Sequence, residues 1–419
     1  MNIIQHLADL LIRNLFHADP AHWPWAWLVQ AVVIGIAAFL AFAFVAIFAG
    51  PVSWIERRIA ARIQSRVGPN RVGPQGILQW LADGVKCWLK EDLVPATADK
   101  PLFLAAPYLV FTGMFGAFVV LPFGANVVAA DLNVGILYIL AITSLVVVGL
   151  LMAGWGSNSK WALFGGVRSA AQLVSYEVPS AFSLLTVVLL AGTLSTQGIV
   201  AAQGGWPWEW FVFRNPAAFV AFFILFISQL AEGNRTPFDL AEAESELVAG
   251  YMSEYSGFRF ALYFLVEWAN LWIIGAVAVT LFLGGWQIPG VSAQDWTVLR
   301  GAGAFPAAGW WALQVVSFVV FALKTLFLVN VIIWIRWTLP RIRVDQMMNL
   351  CWKYLVPGGF AAMIFTLLWQ IAVARAPIVE RVSGVALFLV AVWIAWRFAV
   401  QTRKNVSLIV GERIDLSNW

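Results

Sequence analysis

The chain has 419 residues, 61% of them hydrophobic and 11% charged, with a formal net charge of +4 at pH 7. Soluble domains carry about 25% charged residues, so composition excludes a soluble enzyme and places the chain in lipid, with no nucleic acid as partner. Cys87 and Cys351 form no C-x-x-C pair, and His6, His17 and His22 all precede the first long apolar run, so neither an iron–sulfur cluster, nor a zinc site, nor a haem between membrane helices is expected on this chain.

The N-terminus does not read as a cleaved signal, because Asp9 and Arg13 interrupt its apolar stretch. Its apolar residues recur at helical spacing over 2–16, which predicts a short helix in the interface plane. A hydrocarbon core of ~30 Å needs about 20 apolar residues as helix. On that measure nine spans are expected, near 27–49, 102–123, 134–155, 174–200, 217–232, 258–284, 308–335, 355–374 and 378–399. Nine crossings put twenty Lys and Arg residues on one side and five on the other, with Lys324 inside a span. The basic side is then cytoplasmic, which leaves the N-terminus outside and the C-terminus inside. Trp25, Trp27, Trp54, Trp286, Trp310 and Trp311 fall near span ends, as headgroup anchors or as ordinary core filler.

Glu177, Glu232, Glu267 and Lys324 sit within spans or at their edges. Each would cost at least ~2.5–3.5 kcal/mol facing lipid, so each should face a partner or a wet cavity. A structural ion pair or a snorkelling end residue is the plainer alternative. Pro179, two residues after Glu177, frees a carbonyl one turn earlier, a common companion of a hydrated pocket.

After the fifth span comes an acidic run from Glu232 to Glu246, with Glu254 shortly beyond. Thr236-Pro237 reads as a helix entry, which would line Asp239, Glu242 and Glu246 along one face. Crowded carboxylates raise one another's pKa, as proton relays require; a solvated acidic face is the competing reading. The loop after the first span is basic instead, from Glu56-Arg57-Arg58 through Arg62, Arg66 and Arg71 to Lys86. Its Arg66-Val67-Gly68-Pro69 and Arg71-Val72-Gly73-Pro74 repeats make turns rather than a phosphate cradle. Residues 77–91, with Asp83 and Lys86 on the polar side, read as an amphipathic helix at the membrane surface.

Several runs together resemble the H-subunit family of respiratory complex I, called ND-one in mitochondria. They are Glu56-Arg57-Arg58 with Arg66-Val67-Gly68-Pro69-Asn70, Gly156-Ser157-Asn158-Ser159-Lys160, and Arg168-Ser169-Ala170-Ala171-Gln172 through Tyr176-Glu177. The others are Arg235-Thr236-Pro237-Phe238-Asp239 through Glu246-Leu247, Ser256-Gly257 through Glu267, and Pro340-Arg341-Ile342-Arg343 with Asp345-Gln346. They run in order through residues ~27–375; Val344 and Met347 are mild departures.

The resemblance implies an all-α, eight-helix core at 1–375; it does not explain 376–419, where the apolar stretch 378–399 predicts an extra ninth span followed by a short tail. It implies a subunit that walls the chamber where quinone is reduced, while partner subunits of the membrane and peripheral arms carry NADH, FMN and iron–sulfur clusters. Carried over by motif, Glu56, Asp83, Glu177, Glu232, Asp239, Glu242, Glu244, Glu246, Glu254 and Glu267 become proton-path or coupling carboxylates. Arg57, Arg66 and Lys86 would line the quinone entry, and Arg62, Arg71, Arg341, Arg343 and Asp345 would serve interfaces. A related subunit with another electron donor is the near rival. A secondary transporter using Glu177 and Glu267 ranks below, because the two halves show no repeat.

Overall fold

A computed structural model describes residues 25–125, 127–241, 244–290, 307–373 and 377–411. The expected interfacial helix at 2–16, Glu242 and the tail beyond 411 lie outside these residues. Among the described residues all regular structure is helical. The long helices are α1 (Ala26–Ile63), α2 (Gln79–Leu89), α3 (Lys100–Gly116), α4 (Gly135–Gly156) and α5 (Lys160–Ala191), followed by α6 (Pro216–Glu232) and α7 (Gly257–Phe282). Then come α8 (Ala307–Thr338), α9 (Val344–Val373, with a π-helical stretch at Leu350–Leu355) and α10 (Pro377–Gly411). Among the described residues, seven helices are long and apolar enough to cross a membrane; α6 and the apolar part of α10, Val382–Ile394, are shorter.

The helix α7 forms the centre of the bundle. Every residue from Leu271 to Phe282 is buried, as expected of a helix that is apolar all round. Trp272 is its anchor, meeting Phe44 and Phe48 of α1 edge-on at 4.9 and 4.8 Å. Such contacts contribute about 0.5–1.5 kcal/mol each beyond area burial.

Two expectations about element ends are corrected. The basic segment from Glu56 is not a loop at its start, because α1 runs on to Ile63. At 1.5 Å per residue its 38 residues extend ~57 Å, well past the hydrocarbon. Nothing in Ile59-Ala60-Ala61-Arg62-Ile63 breaks a helix, and the stop waits for Ser65, at φ 53°. The fourth span is 160–191 rather than 174–200. Gly192 stops it in the left-handed conformation (φ 70°), and Ser195 caps a separate short helix, Thr196–Ala201.

The amphipathic helix forms where expected. It lies against α1 because Gly50 has no side chain: a Cβ there would stand 2.5 Å from the Trp80 ring. The added C-terminal helix packs through Phe388 against Phe213 (5.3 Å) and Trp208 (6.3 Å), and much of the rest of its apolar surface is exposed. Trp25 and Trp27 are exposed, as anchors should be, whereas Trp286 is buried and donates to Gln197 Oε1 at 3.0 Å. The side chains of Trp310 and Trp311 lie outside the described residues.

Candidate functional site

The ends of α1, α6, α7 and α8 meet on one side of the bundle, and there the charged residues gather. Glu56 of α1 is buried, and its Oε1 accepts from Arg336 of α8 at 2.5 Å. Arg235, just beyond α6 and only 4% exposed, stands 4.0 Å from Glu56 and 3.7 Å from Glu267 of α7. Its guanidinium also lies 5.1 Å from the Trp268 ring centre. Two carboxylates and two guanidiniums balance, which is the condition under which burying charge is tolerable. Oε2 of Glu56 and Oε1 of Glu267 are buried and accept no hydrogen bond from a described residue, so each keeps unused acceptor capacity.

Three α-helical residues beyond Glu267, Asn270 donates to the Glu232 carbonyl at 3.5 Å, and both line a cavity of about 40 Å³ inside the bundle. Glu177 and Gln229 line it too, among apolar side chains. That volume holds a few waters. Gln229 donates to Glu232 Oε2 at 2.6 Å and to Ser180 Oγ at 3.4 Å. Behind Glu177, Pro179 has no N–H to return to the Ser175 carbonyl, and the Cys351 thiol donates to that oxygen instead, at 3.1 Å. Tyr176 completes the link by donating to the Met347 carbonyl at 2.9 Å.

The acidic run does not fold as expected. Residues 236–241 form turns, and the next helix among the described residues is Glu244–Leu247, so Asp239 lies outside any helix that carries Glu246. The cause is tertiary: Phe238, Leu240 and Ala241 are drawn into the core, and the Pro237 carbonyl accepts from Ile342 N–H at 3.0 Å. Asp239 pairs instead with Arg341 at 3.3 Å, and Glu246 with Arg168 at 2.8 Å. Burial pushes the Asp239 carboxyl above its ordinary pKa, and the Arg341 and Arg336 guanidiniums pull it back in part. The backbone of Glu244 is described and its side chain is not. Glu254 is half-buried and makes no ion pair with a described residue.

The basic segment forms an outer layer. Arg57 pairs with Asp83 of α2 at 2.7 Å, and Arg66 donates to Gln64 at 2.6 Å. Lys86 is exposed on α2, as is Arg71 on its loop. Arg62 and Arg66 join Arg58 around an open basic pocket of about 430 Å³. Arg343 occupies the N-cap position of α9, where its backbone N–H donates to Gln346 Oε1 at 3.3 Å, and Asp345 sits exposed in the first turn, where the helix dipole favours an acid. Lys324 is the outlier. It lies at the opposite end of the bundle, donating to the carbonyls of Leu283 (2.9 Å) and Gly285 (3.0 Å), with its ammonium 4.4 Å from the Trp210 ring centre. Among the described residues, no group of three or more His, Cys, Asp or Glu is placed to hold a metal ion.

Arg235 and Arg336, the cations at the centre, were not singled out from sequence. Arg235 carried one signal, as the only base within the acidic run; Arg336 carried none beyond ending an apolar helix.

A family model described as NADH dehydrogenase matches residues 35–367. The H subunit of the NADH-quinone oxidoreductase of Anaeromyxobacter dehalogenans (strain 2CP-C) is 58% identical over 393 residues, 94% of each chain. The H subunit from Chlorobium luteolum is 49% identical over 326 residues, 76% of this chain and 84% of the relative. That of Rubrobacter xylanophilus is 43% identical over 361 residues, 85% and 97%. Helix α10 begins beyond the matched region, which holds every charged pair described above. The chain therefore belongs to the family of NADH-quinone oxidoreductase H subunits, membrane components of an oxidoreductase complex.

Proposed function

We propose that this subunit forms the quinone entrance and part of the quinone chamber of a proton-translocating NADH–quinone oxidoreductase, and couples quinone reduction to proton movement through its buried carboxylates. The observation that carries this reading is the charge-balanced set Glu56, Arg336, Arg235 and Glu267 beside the cavity of Glu177 and Glu232. Quinone reduction takes up protons and changes charge in the chamber. Arg235, held loosely between two carboxylates, responds by favouring one of them, and the change in field alters the proton affinity of Glu232 and Glu177. In this reading Asp239, Glu242, Glu244, Glu246 and Glu254 belong to the same proton path.

In the same reading Arg57 with Asp83, Arg66 and Lys86 border the quinone entry. Arg62, Arg71, Arg341, Arg343 and Asp345 face neighbouring subunits of the membrane and peripheral arms. Residues 1–375 are the family core and 376–419 an additional crossing with a short tail. The charged end faces the cytoplasm of a bacterial cytoplasmic membrane, with the N-terminus outside. NADH, FMN and iron–sulfur clusters belong to partner subunits; quinone and lipid meet this one.

The test is NADH-driven quinone reduction and proton pumping by the native assembly, purified through a tag on this chain. The Glu246 side chain is 55% exposed, so Glu246→Gln should leave assembly intact while lowering turnover. Full turnover and pumping in an assembled Glu246→Gln complex would remove Glu246 from the path. An assembly that ignores NADH and accepts another donor would keep the architecture and change the reaction.

A further inference from the structure

Gln172 lies on α5, five residues before Glu177, with no exposed surface. Its Nε2 faces three oxygens: the carbonyls of Ala231 and Phe238, each at 2.7 Å, and Asn234 Oδ1 at 3.2 Å. Only the nitrogen fits there, because a carboxamide turned over would set oxygen against three oxygens. Its own Oε1 is buried and accepts no hydrogen bond from a described residue. A buried acceptor left unmade is costly, so the orientation is set by what the donor end holds.

Those three oxygens bracket the segment from Ala231 to Phe238, which contains Glu232 and Arg235. Ala231 is in the last turn of α6, where carbonyls lack intrahelical donors, so Gln172 caps that end from a neighbouring helix. Asn234 holds a left-handed backbone (φ 48°), which Asn tolerates better than most residues, and its Nδ2 donates to Ser169 Oγ at 3.4 Å, one turn back on α5. The segment is therefore tied to α5 by a small carboxamide knot, on the same helix that carries Glu177.

We propose that Gln172 is a positioning residue for the coupling site, and that its amide N–H groups fix Glu232 and Arg235 relative to Glu177. It touches no substrate and carries no proton. The proposal rests on the reading of these acids as a coupling path, but the anchor itself can be read separately.

The experiment compares Gln172→Met and Gln172→Glu in the purified native assembly. Met keeps the shape and loses the donor, so kcat should fall about tenfold or more at every pH, with KM for quinone little changed; an ångström of misplacement can cost about a hundredfold. Glu should lose as much at alkaline pH, where its carboxylate faces three oxygens. It should recover at acid pH, where the protonated carboxyl donates again. General loss of packing would give no such recovery. Hydrogen–deuterium exchange of the 231–241 amides in the same assembly reads the anchor without activity, and faster exchange in Gln172→Met is expected. Wild-type kcat and wild-type exchange in Gln172→Met would overturn the proposal. Faster exchange with unchanged turnover would keep the anchor and remove its link to coupling. If Gln172→Met does not assemble, Asn234→Gly keeps the left-handed backbone and deletes both the acceptor for Gln172 and the donor to Ser169. A loss of about twofold to fivefold then supports the anchor, in keeping with two long, weak hydrogen bonds, and wild-type turnover overturns it.

Discussion

The two ends of the bundle are held together by different chemistry. At one end, buried guanidiniums and carboxylates from distant parts of the chain meet, and Glu56 and Glu267 each keep one oxygen that accepts nothing from a described residue. At the other, neutral amides close the helix ends. Gln203 donates to the carbonyls of Thr280 (2.9 Å) and Leu281 (3.3 Å), and its Oε1 accepts from Gly284 N–H at 2.9 Å. Gln287 donates to Val200 and Gln203, Trp286 to Gln197, and Thr196 to Val120. Lys324 caps two further carbonyls there. An amide cap is neutral across the whole working pH range, whereas an array of carboxylates responds to every nearby charge. The amide caps therefore hold their helix ends independently of pH, whereas the carboxylates respond to any charge brought near them.

The largest expected effect breaks that contrast at the charged end. Arg235→Met leaves Glu56 and Glu267 facing one another's field with only Arg336 to compensate. Breaking such a buried set costs about 3–5 kcal/mol. The assembled complex should be lost or strongly depleted on a native gel, and a second change, Glu267→Gln, should restore part of it. Normal yield from Arg235→Met alone would show that the charges are not mutually dependent.

A smaller effect sharpens the contrast at the closed end. Gln203→Met removes the donor at Thr280 and the acceptor at Gly284, each worth about 1–3 kcal/mol when its partner is left buried. Thermal stability should drop while the surviving complex turns over at the wild-type rate. A selective fall in turnover would mean that this end also takes part in coupling.

The smallest effect concerns pH. Burial raises the Asp239 pKa above its unfolded value, so the folded chain binds this proton more tightly than the unfolded chain does. Stability from this group is then greatest at acid pH and declines as pH rises from the ordinary aspartate range through the raised value. Arg341 limits the decline. Asp239→Asn should flatten that part of the melting-temperature profile, and Arg341→Gln should steepen it. Identical profiles for wild type and Asp239→Asn would show that this carboxyl titrates alike in both states.

Much of the candidate site was legible because the lipid setting makes polar residues conspicuous. Glu177, Glu232 and Glu267 stood out within apolar runs, and Glu177 and Glu232 do share a cavity, beside the chain link from Asn270 to the Glu232 carbonyl. The acidic run was read less well. Its local pattern favours a helix from Thr236, but burial of Phe238, Leu240 and Ala241 and a hydrogen bond from Ile342 win over local propensity. Gln172 belonged to a recognisable motif, but nothing along the chain says that its donor end reaches three oxygens some 60 residues away.

The sequence by itself determined a helical membrane chain, the approximate position of each apolar segment, its family, and the acids that lipid would exclude. The helices, their positions and the acids follow from composition and periodicity, which act locally; the family follows from a resemblance carried by short motifs. The tertiary structure alone decided that Arg336 reaches Glu56 across 280 residues of sequence, that Arg235 stands between two carboxylates, and that Lys324 serves the opposite end. A buried charge is stable only where its counter-charge has been carried to it, and that placement is made by helix packing, not by neighbours along the chain.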